Sequence, residues 1–218
     1  MTREFLIVWQ HFDRLLDGLA NTMLLALLGT VLSLTFGCLA AMPLMAKHWV
    51  VRSAARWLVD AMRCIPFLLL AYIVYYALPS FGINFDNWTA GLCAIVVYNT
   101  AYMAEIVRGA WSRLPPEYSE AGRSFGFYGV ALYRRIILPP VLLAAIPMIG
   151  NQVIQIIKDT AFLTIIAVPE LTHAASSLQS NYYVPFAAFI AAVALYWVLC
   201  SLVEVVVAGV ERIAEERR

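Results

Sequence analysis

Charge is what this sequence has least of. Only 13% of its 218 residues are Asp, Glu, Lys or Arg, about half the share found in soluble domains. Fifteen basic and fourteen acidic side chains nearly cancel, so nothing in the balance points to nucleic acid. Cysteine is sparse as well. Cys38, Cys64, Cys93 and Cys200 form no C-x-x-C pair, which indicates neither a disulfide framework nor a thiolate metal site. The three histidines, His11, His48 and His173, lie in different regions, so no metal cluster is expected. Nucleotide and nucleophile signatures are missing too: no G-x-x-x-x-G-K-[ST], no G-x-G-x-x-G, no H-E-x-x-H and no G-x-S-x-G. The expectation is a chain that is not an enzyme, with no catalytic residue, metal or cofactor of its own. If it moves a solute uphill, the energy comes from a partner or an ion gradient.

What is present is oil. Hydrophobic residues make up 62% of the chain and mean hydropathy is +0.77, too much for one globular core and the mark of an integral membrane protein. A spanning helix needs about 20 mostly apolar residues. Five stretches qualify: Leu19 to Met45, Leu58 to Leu78, Trp88 to Val107, Ile136 to Ile157 and Phe186 to Val207. The first is too long for a signal-peptide core, and Asp13 and Asp17 precede it where a signal peptide is positive, so it is expected to be retained. The chain therefore reads as a single all-α membrane domain over 1–218.

Lysine and arginine set the orientation. Lys47, Arg52, Arg56 and Arg63 follow span one. Arg108, Arg113, Arg123, Arg134 and Arg135 lie between spans three and four, and Arg212, Arg217 and Arg218 in the tail. Pro79 to Asn87 and Asp159 to Pro185 carry none. The alternation places the amino terminus outside and the carboxyl terminus in the cytoplasm. Arg3 and Arg14 dissent, but Glu4, Asp13 and Asp17 accompany them.

Gly29, Ser33, Gly37 and Ala41 put a small residue at every fourth position of span one, a stripe suited to close helix packing. In span four Asn151, Gln155, Lys158 and Asp159 share one helix face, flanked by Gln152 and Thr160. Polar groups facing lipid are costly, so this face should look into the protein or into water and line a path for a polar solute. A Lys158–Asp159 pair marking the helix end is the alternative. Asn99, Tyr102 and Glu105 recur at spacings of three in span three, and Glu105 can equally pair with Arg108. Glu204 lies close to the inner surface. Pro66, Pro139, Pro140 and Pro147 predict tolerated kinks. The short apolar run Ala161 to Val168 suits a re-entrant piece or an interfacial helix.

A polar stretch interrupts the oil between spans three and four. Pro115 and Pro116 suit a first helical turn, Glu117 and Glu120 its positive end, and Gly126 the left-handed stop. A short cytoplasmic helix from Pro115 to Phe125 follows. Ala121 and Gly122 give it a face nearly bare of side chains, open to close approach by another backbone. Phe127 to Ile137 then climbs into span four.

The order Glu120-Ala121-Gly122, three residues, Gly126, nine residues, Ile136, one residue, Leu138-Pro139 resembles the EAA loop of permease subunits of bacterial ATP-binding-cassette (ABC) importers. Gly122 replaces the second alanine, which weakens the helix by about 1 kcal/mol. The rest of the chain resembles the polar amino acid uptake branch. Asp17-Gly18-Leu19 with Thr22, Arg63 with Pro66, and Tyr102, Ala104-Glu105 and Arg108-Gly109 match its motifs. So do Gly150-Asn151-Gln152 and Lys158-Asp159-Thr160, with Ala161 where serine is usual.

The resemblance implies a type I ABC importer permease fold of about five transmembrane helices in the bacterial inner membrane, with a coupling segment at 115–138. It implies work in pairs with a second permease, identical or homologous. It also implies two ABC ATPase subunits that hold ATP and Mg, an extracytoplasmic amino acid-binding protein, a polar amino acid substrate, and surrounding membrane lipid. ATPase coupling would fall to Glu120, Ala121, Gly122, Arg123 and Gly126. The substrate pathway would use Asn99, Tyr102, Glu105, Asn151, Gln155, Lys158, Asp159 and Thr160. Two alternatives remain: the same class of permease carrying another small polar solute, and an ion-coupled secondary transporter, which typically shows an internal repeat.

Overall fold

A computed structural model describes residues 2–215; Arg217 and Arg218, counted above for orientation, lie outside the described residues. Ten α-helices are connected by short links: α1 (Thr2–Gln10), α2 (Phe12–Leu44), α3 (Trp49–Cys64), α4 (Phe67–Tyr72), α5 (Asn87–Ser112), α6 (Pro116–Ser124), α7 (Gly129–Leu132), α8 (Leu138–Thr160), α9 (Leu171–Tyr182) and α10 (Pro185–Glu215). No strand occurs among the described residues. π-helical segments extend α4 (Ile73–Ala77) and precede α8 (Tyr133–Ile137), and 3₁₀ turns cover Leu78–Phe81 and Ala161–Ile166.

Among the described residues, four helical stretches are long and apolar enough to cross a membrane: Phe12–Leu44, Asn87–Ser112, Gly129–Ile166 and Pro185–Ile213. The segment expected as one span over Leu58 to Leu78 is different. Its first part belongs to α3, and the chain turns by 96° before Phe67–Phe81. Pro66 causes the break. It forces Ile65 into an extended conformation (φ −77°, ψ 131°) and is itself extended (ψ 131°), so the helix cannot run through. The kink expected there is a corner, and among the described residues the fold has four continuous spans, or five if the bent pair counts as one.

The small-residue stripe of α2 lies against α5. A Cβ added at Gly29 would come 2.6 Å from Ile95 Cγ2, and one at Gly37 2.5 Å from Met103 Cβ and 3.0 Å from the Ala104 nitrogen. Ser33 and Ala41 are fully buried beside them. Lipid supplies no hydrophobic drive between helices, so this intimacy gains its stability from dispersion contacts. Gly150 of α8 makes the same kind of contact with Val207 of α10.

Two acidic side chains cap α5 and α9. The Asp86 carboxylate accepts from the backbone N–H groups of Trp88 and Thr89 at the start of α5. The Thr89 hydroxyl bonded to it, together with these N–H groups, holds its carboxyl below the usual range. Glu170 is fully buried and caps α9 through the N–H groups of Thr172 (2.7 Å) and His173 (2.6 Å), while Tyr196 of α10 donates its hydroxyl at 2.8 Å. Thr22 accepts from Leu171 N–H at 3.1 Å, and Gly18 leaves room for Ala174, so α2, α9 and α10 lock together.

Candidate translocation site and coupling segment

The polar residues of α5 and α8 fall into a buried cluster and an exposed stripe. Asn99 is fully buried; its Nδ2 donates to the Ile95 carbonyl at 3.0 Å and its Oδ1 accepts from Gln152 Nε2 at 2.6 Å. Asp159, also buried, accepts from Gln155 Nε2 at 2.9 Å. Its second oxygen, Oδ2, is buried without a well-formed hydrogen bond among the described residues, with Asn99 as its near polar neighbour. Thr160 is buried and bonded to the Ile157 carbonyl. By contrast Asn151, Gln155 and Lys158 are exposed along the outer side of α8. A Lys158–Asp159 pair does not form among the described residues; Lys158 points outward while Asp159 turns in.

Next to the cluster is a cleft of about 410 Å³ lined by Arg63, Tyr102, Glu105, Gly109, Arg113, Met148 and Gln152. Gln152 reaches from the cleft to Asn99, so cleft and buried cluster are continuous. Glu105 does pair with Arg108, which donates to both carboxylate oxygens, with Nε at 2.7 Å from Oε2. The pairing does not remove it from the cleft. Arg63 lies over the Tyr102 ring, 5.3 Å from its centroid. The Tyr102 hydroxyl donates to the Arg63 carbonyl at 3.2 Å and meets Tyr98 Oη at 3.2 Å. One Arg63 nitrogen reaches Asp60 at 3.6 Å, while Nε is buried and unbonded among the described residues. The cleft thus offers charges of both signs, an aromatic ring and an amide, that of Gln152.

Sequence reasoning had not put Arg63, Tyr98, Arg113 or Met148 in this group. Arg63 sat in a basic loop by hydropathy, and only the corner at Pro66 swings it under α5. Tyr98 carried a signal, its i, i+4 spacing to Tyr102.

At the hairpin between α5 and α8, α6 ends in a Schellman motif. Phe127 N–H bonds the Gly122 carbonyl (3.0 Å) and Gly126 N–H the Arg123 carbonyl (2.9 Å). Gly126 has φ +83°, a left-handed conformation that needs glycine. The bare face is not open to a partner at Gly122. That residue is buried, and a Cβ there would meet Leu132 Cδ1 at 2.5 Å and Ile136 Cγ2 at 3.2 Å. Its missing side chain admits the hairpin's own return limb. Glu120, Ala121 and Arg123 are exposed, with Tyr118 and Phe125 beside them. Tyr133 anchors the return limb: its hydroxyl donates to the Cys38 carbonyl at 2.7 Å and its ring stacks on Trp111 at 4.9 Å.

Membrane-crossing helices packed through glycine, a polar cleft within them and a rigid hairpin set between two spans define a helical permease subunit. Residues 33–214 match the family described as binding-protein-dependent transport system inner membrane component, and the chain belongs to that family. It is 32% identical to the octopine transport system permease protein OccQ of Rhizobium radiobacter, over 93% of this chain and 89% of that one. It is 29% identical to the glutamine transport system permease protein GlnP of Escherichia coli strain K12, over 93% of each. A crystal structure of an amino acid ABC transporter with histidines superposes with a TM-score of 0.84 at 28% identity, covering 95% of this chain and 97% of that one. The fold is that of type I ABC importer permeases.

Proposed function

We propose that this chain carries a polar amino acid across the inner membrane as one permease of an ATP-driven importer. One observation carries the reading: Asn151, Gln155 and Lys158 lie exposed on a spanning helix whose other exposed residues are apolar, beside a cleft holding Arg63, Tyr102, Glu105 and Gln152. Polar and charged groups left in lipid cost several kcal/mol or so. A second permease, identical or homologous, covers that stripe, and the solute path runs between the two. A zwitterion needs both charge signs and amide or hydroxyl partners, which this set supplies together with Asn99, Asp159 and Thr160. The octopine and glutamine permeases among the relatives support an amino acid as cargo.

The chain has no ATPase site of its own in this reading. Two partner ATPases hold ATP and Mg and grip the exposed side of α6, at Glu120, Ala121 and Arg123, while Gly122 and Gly126 shape that handle from within. An extracytoplasmic binding protein delivers the solute. The amino terminus lies outside and the carboxyl terminus in the cytoplasm, as the basic loops require.

Reconstitution with its ATPase and binding protein in vesicles, followed by uptake of a panel of labelled amino acids, tests this. ATP-dependent accumulation of one polar amino acid is expected, with hydrolysis stimulated by the loaded binding protein. Accumulation driven by an ion gradient without the ATPase would overturn it.

A further inference from the structure

The helix between the first span and the Pro66 corner is built for another task. α3 is amphipathic along its whole length. Arg52, Arg56, Asp60 and Arg63 recur at i, i+4, i+8 and i+11 on one side, while Val50, Ala54, Trp57, Leu58 and Ala61 face the other. It is held along one narrow edge: Val59, its one buried residue, packs with Ala101 and Ala104 of α5 and Leu44 of α2, with half-buried Ala55 and Met62 beside it. Trp49, Trp57 and Leu58 are 68%, 73% and 61% exposed.

Its depth follows from α5. Ala101 and Ala104 lie 14 and 17 residues beyond Asn87, about 21–26 Å along the axis, close to the far edge of a hydrocarbon layer about 30 Å thick. With the orientation proposed above, on which this step rests, that edge is the cytoplasmic one. The 96° corner then turns α3 away from the direction of the crossing segment that follows. A helix so placed has its apolar side and Trp57 at the acyl boundary, and its cations, with Trp49 at its start, at headgroup level.

The charges choose the occupant. Asp60 is the one acid on α3 and is taken by Arg63 at 3.6 Å. Lys47 and Arg56 make no ion pair within 4 Å among the described residues, and Arg52 spends one N–H on the Ala46 carbonyl at 3.0 Å. A two-fold contact through this face would set these cations against their own counterparts. We infer that α3 is an in-plane helix that binds anionic phospholipid headgroups of the inner leaflet, with Lys47, Arg52 and Arg56 clasping phosphodiesters beside an apolar face in the acyl chains. Each such cation contributes about fivefold to the preference for anionic lipid, and salt weakens it.

The test uses the full chain in its complex, in nanodiscs of phosphatidylcholine doped with brominated phosphatidylglycerol or brominated phosphatidylcholine. The readout is tryptophan quenching that disappears in W49F/W57F. Stronger quenching by the phosphatidylglycerol form is expected. The triple variant K47Q/R52Q/R56Q should lose this preference by tenfold or more, and K47R/R52K/R56K should retain it. Equal quenching by both lipids, or a preference untouched in the triple glutamine variant, overturns the inference. So does copy-to-copy cross-linking through Trp57→Cys in place of lipid quenching. The readout needs no transport, so a failure of uptake and a failure of lipid selection are told apart.

Discussion

Glycine at position 122 illustrates how one missing methyl group can serve the interior of a chain and not a partner. The atom a new Cβ would meet first is Leu132 Cδ1, the far end of a flexible side chain. Gly122→Ala should therefore be accommodated, because Leu132 can swing away and alanine favours the helix by about 1 kcal/mol. Gly122→Val adds branches against Ile136 as well and should destabilise by about 1–3 kcal/mol. Melting temperatures of the purified protein in detergent should stay level or rise for the first and fall for the second. At Gly126 the constraint is the backbone, not space. Nothing lies within 4 Å of a Cβ there, yet φ is +83°. Gly126→Ala should cost about 1–2 kcal/mol from left-handed strain alone, visible as a lower melting temperature with the helical circular dichroism of the spans unchanged.

At the level of elements, Glu170 ties α9 to α10. Burial pushes its carboxyl up from the ordinary range, against the hydrogen bonds from Thr172, Tyr196 and His173. The sign follows from linkage. The folded state holds the proton more tightly than the unfolded one, so stability is fullest below the unfolded pKa of the glutamate. It is lost as pH rises toward the raised folded value. Glu170→Gln stays neutral and keeps an acceptor and a donor, so melting temperature should lose that downward slope with pH while the wild type retains it. This element also shows where the sequence was silent. Glu170 opens a short helix of serines, alanines and a histidine that is neither long nor apolar, so no periodic signal announced α9 or its cap. The long spans were legible because lipid demands uninterrupted apolar runs. The Pro66 corner was not, since a hydropathy window averages the basic amphipathic α3 with the oily segment after it. Within the site, the chemistry of Asn99, Gln152, Gln155 and Asp159 was readable from helix spacing. The split into buried cluster and exposed stripe was not, because it depends on how α8 is rotated against α5 and α10.

For the whole molecule, the consequence of the Gly122 packing is that the hairpin built on α6, the proposed handle, is a stiff object. The hairpin is closed by the Schellman motif, filled by Leu132 and Ile136, and riveted to α2 and α5 through Tyr133. A push on its exposed side is therefore passed to the base of α8, the helix that bears the polar stripe, instead of being absorbed by bending. Substitutions should then separate into two kinds. Ala121→Trp puts bulk on the outer face, where nothing in this chain is displaced. It should leave the melting temperature of the isolated permease unchanged while reducing co-purification of the ATPase by tenfold or more. Gly122→Val should lower melting temperature, and weaken the complex only as far as the permease itself unfolds. Size-exclusion chromatography of the co-expressed complex, alongside melting of the permease alone, reads both. If Ala121→Trp holds its ATPase as firmly as the wild type, the exposed side of α6 is not the gripped surface, and force must enter the spans elsewhere.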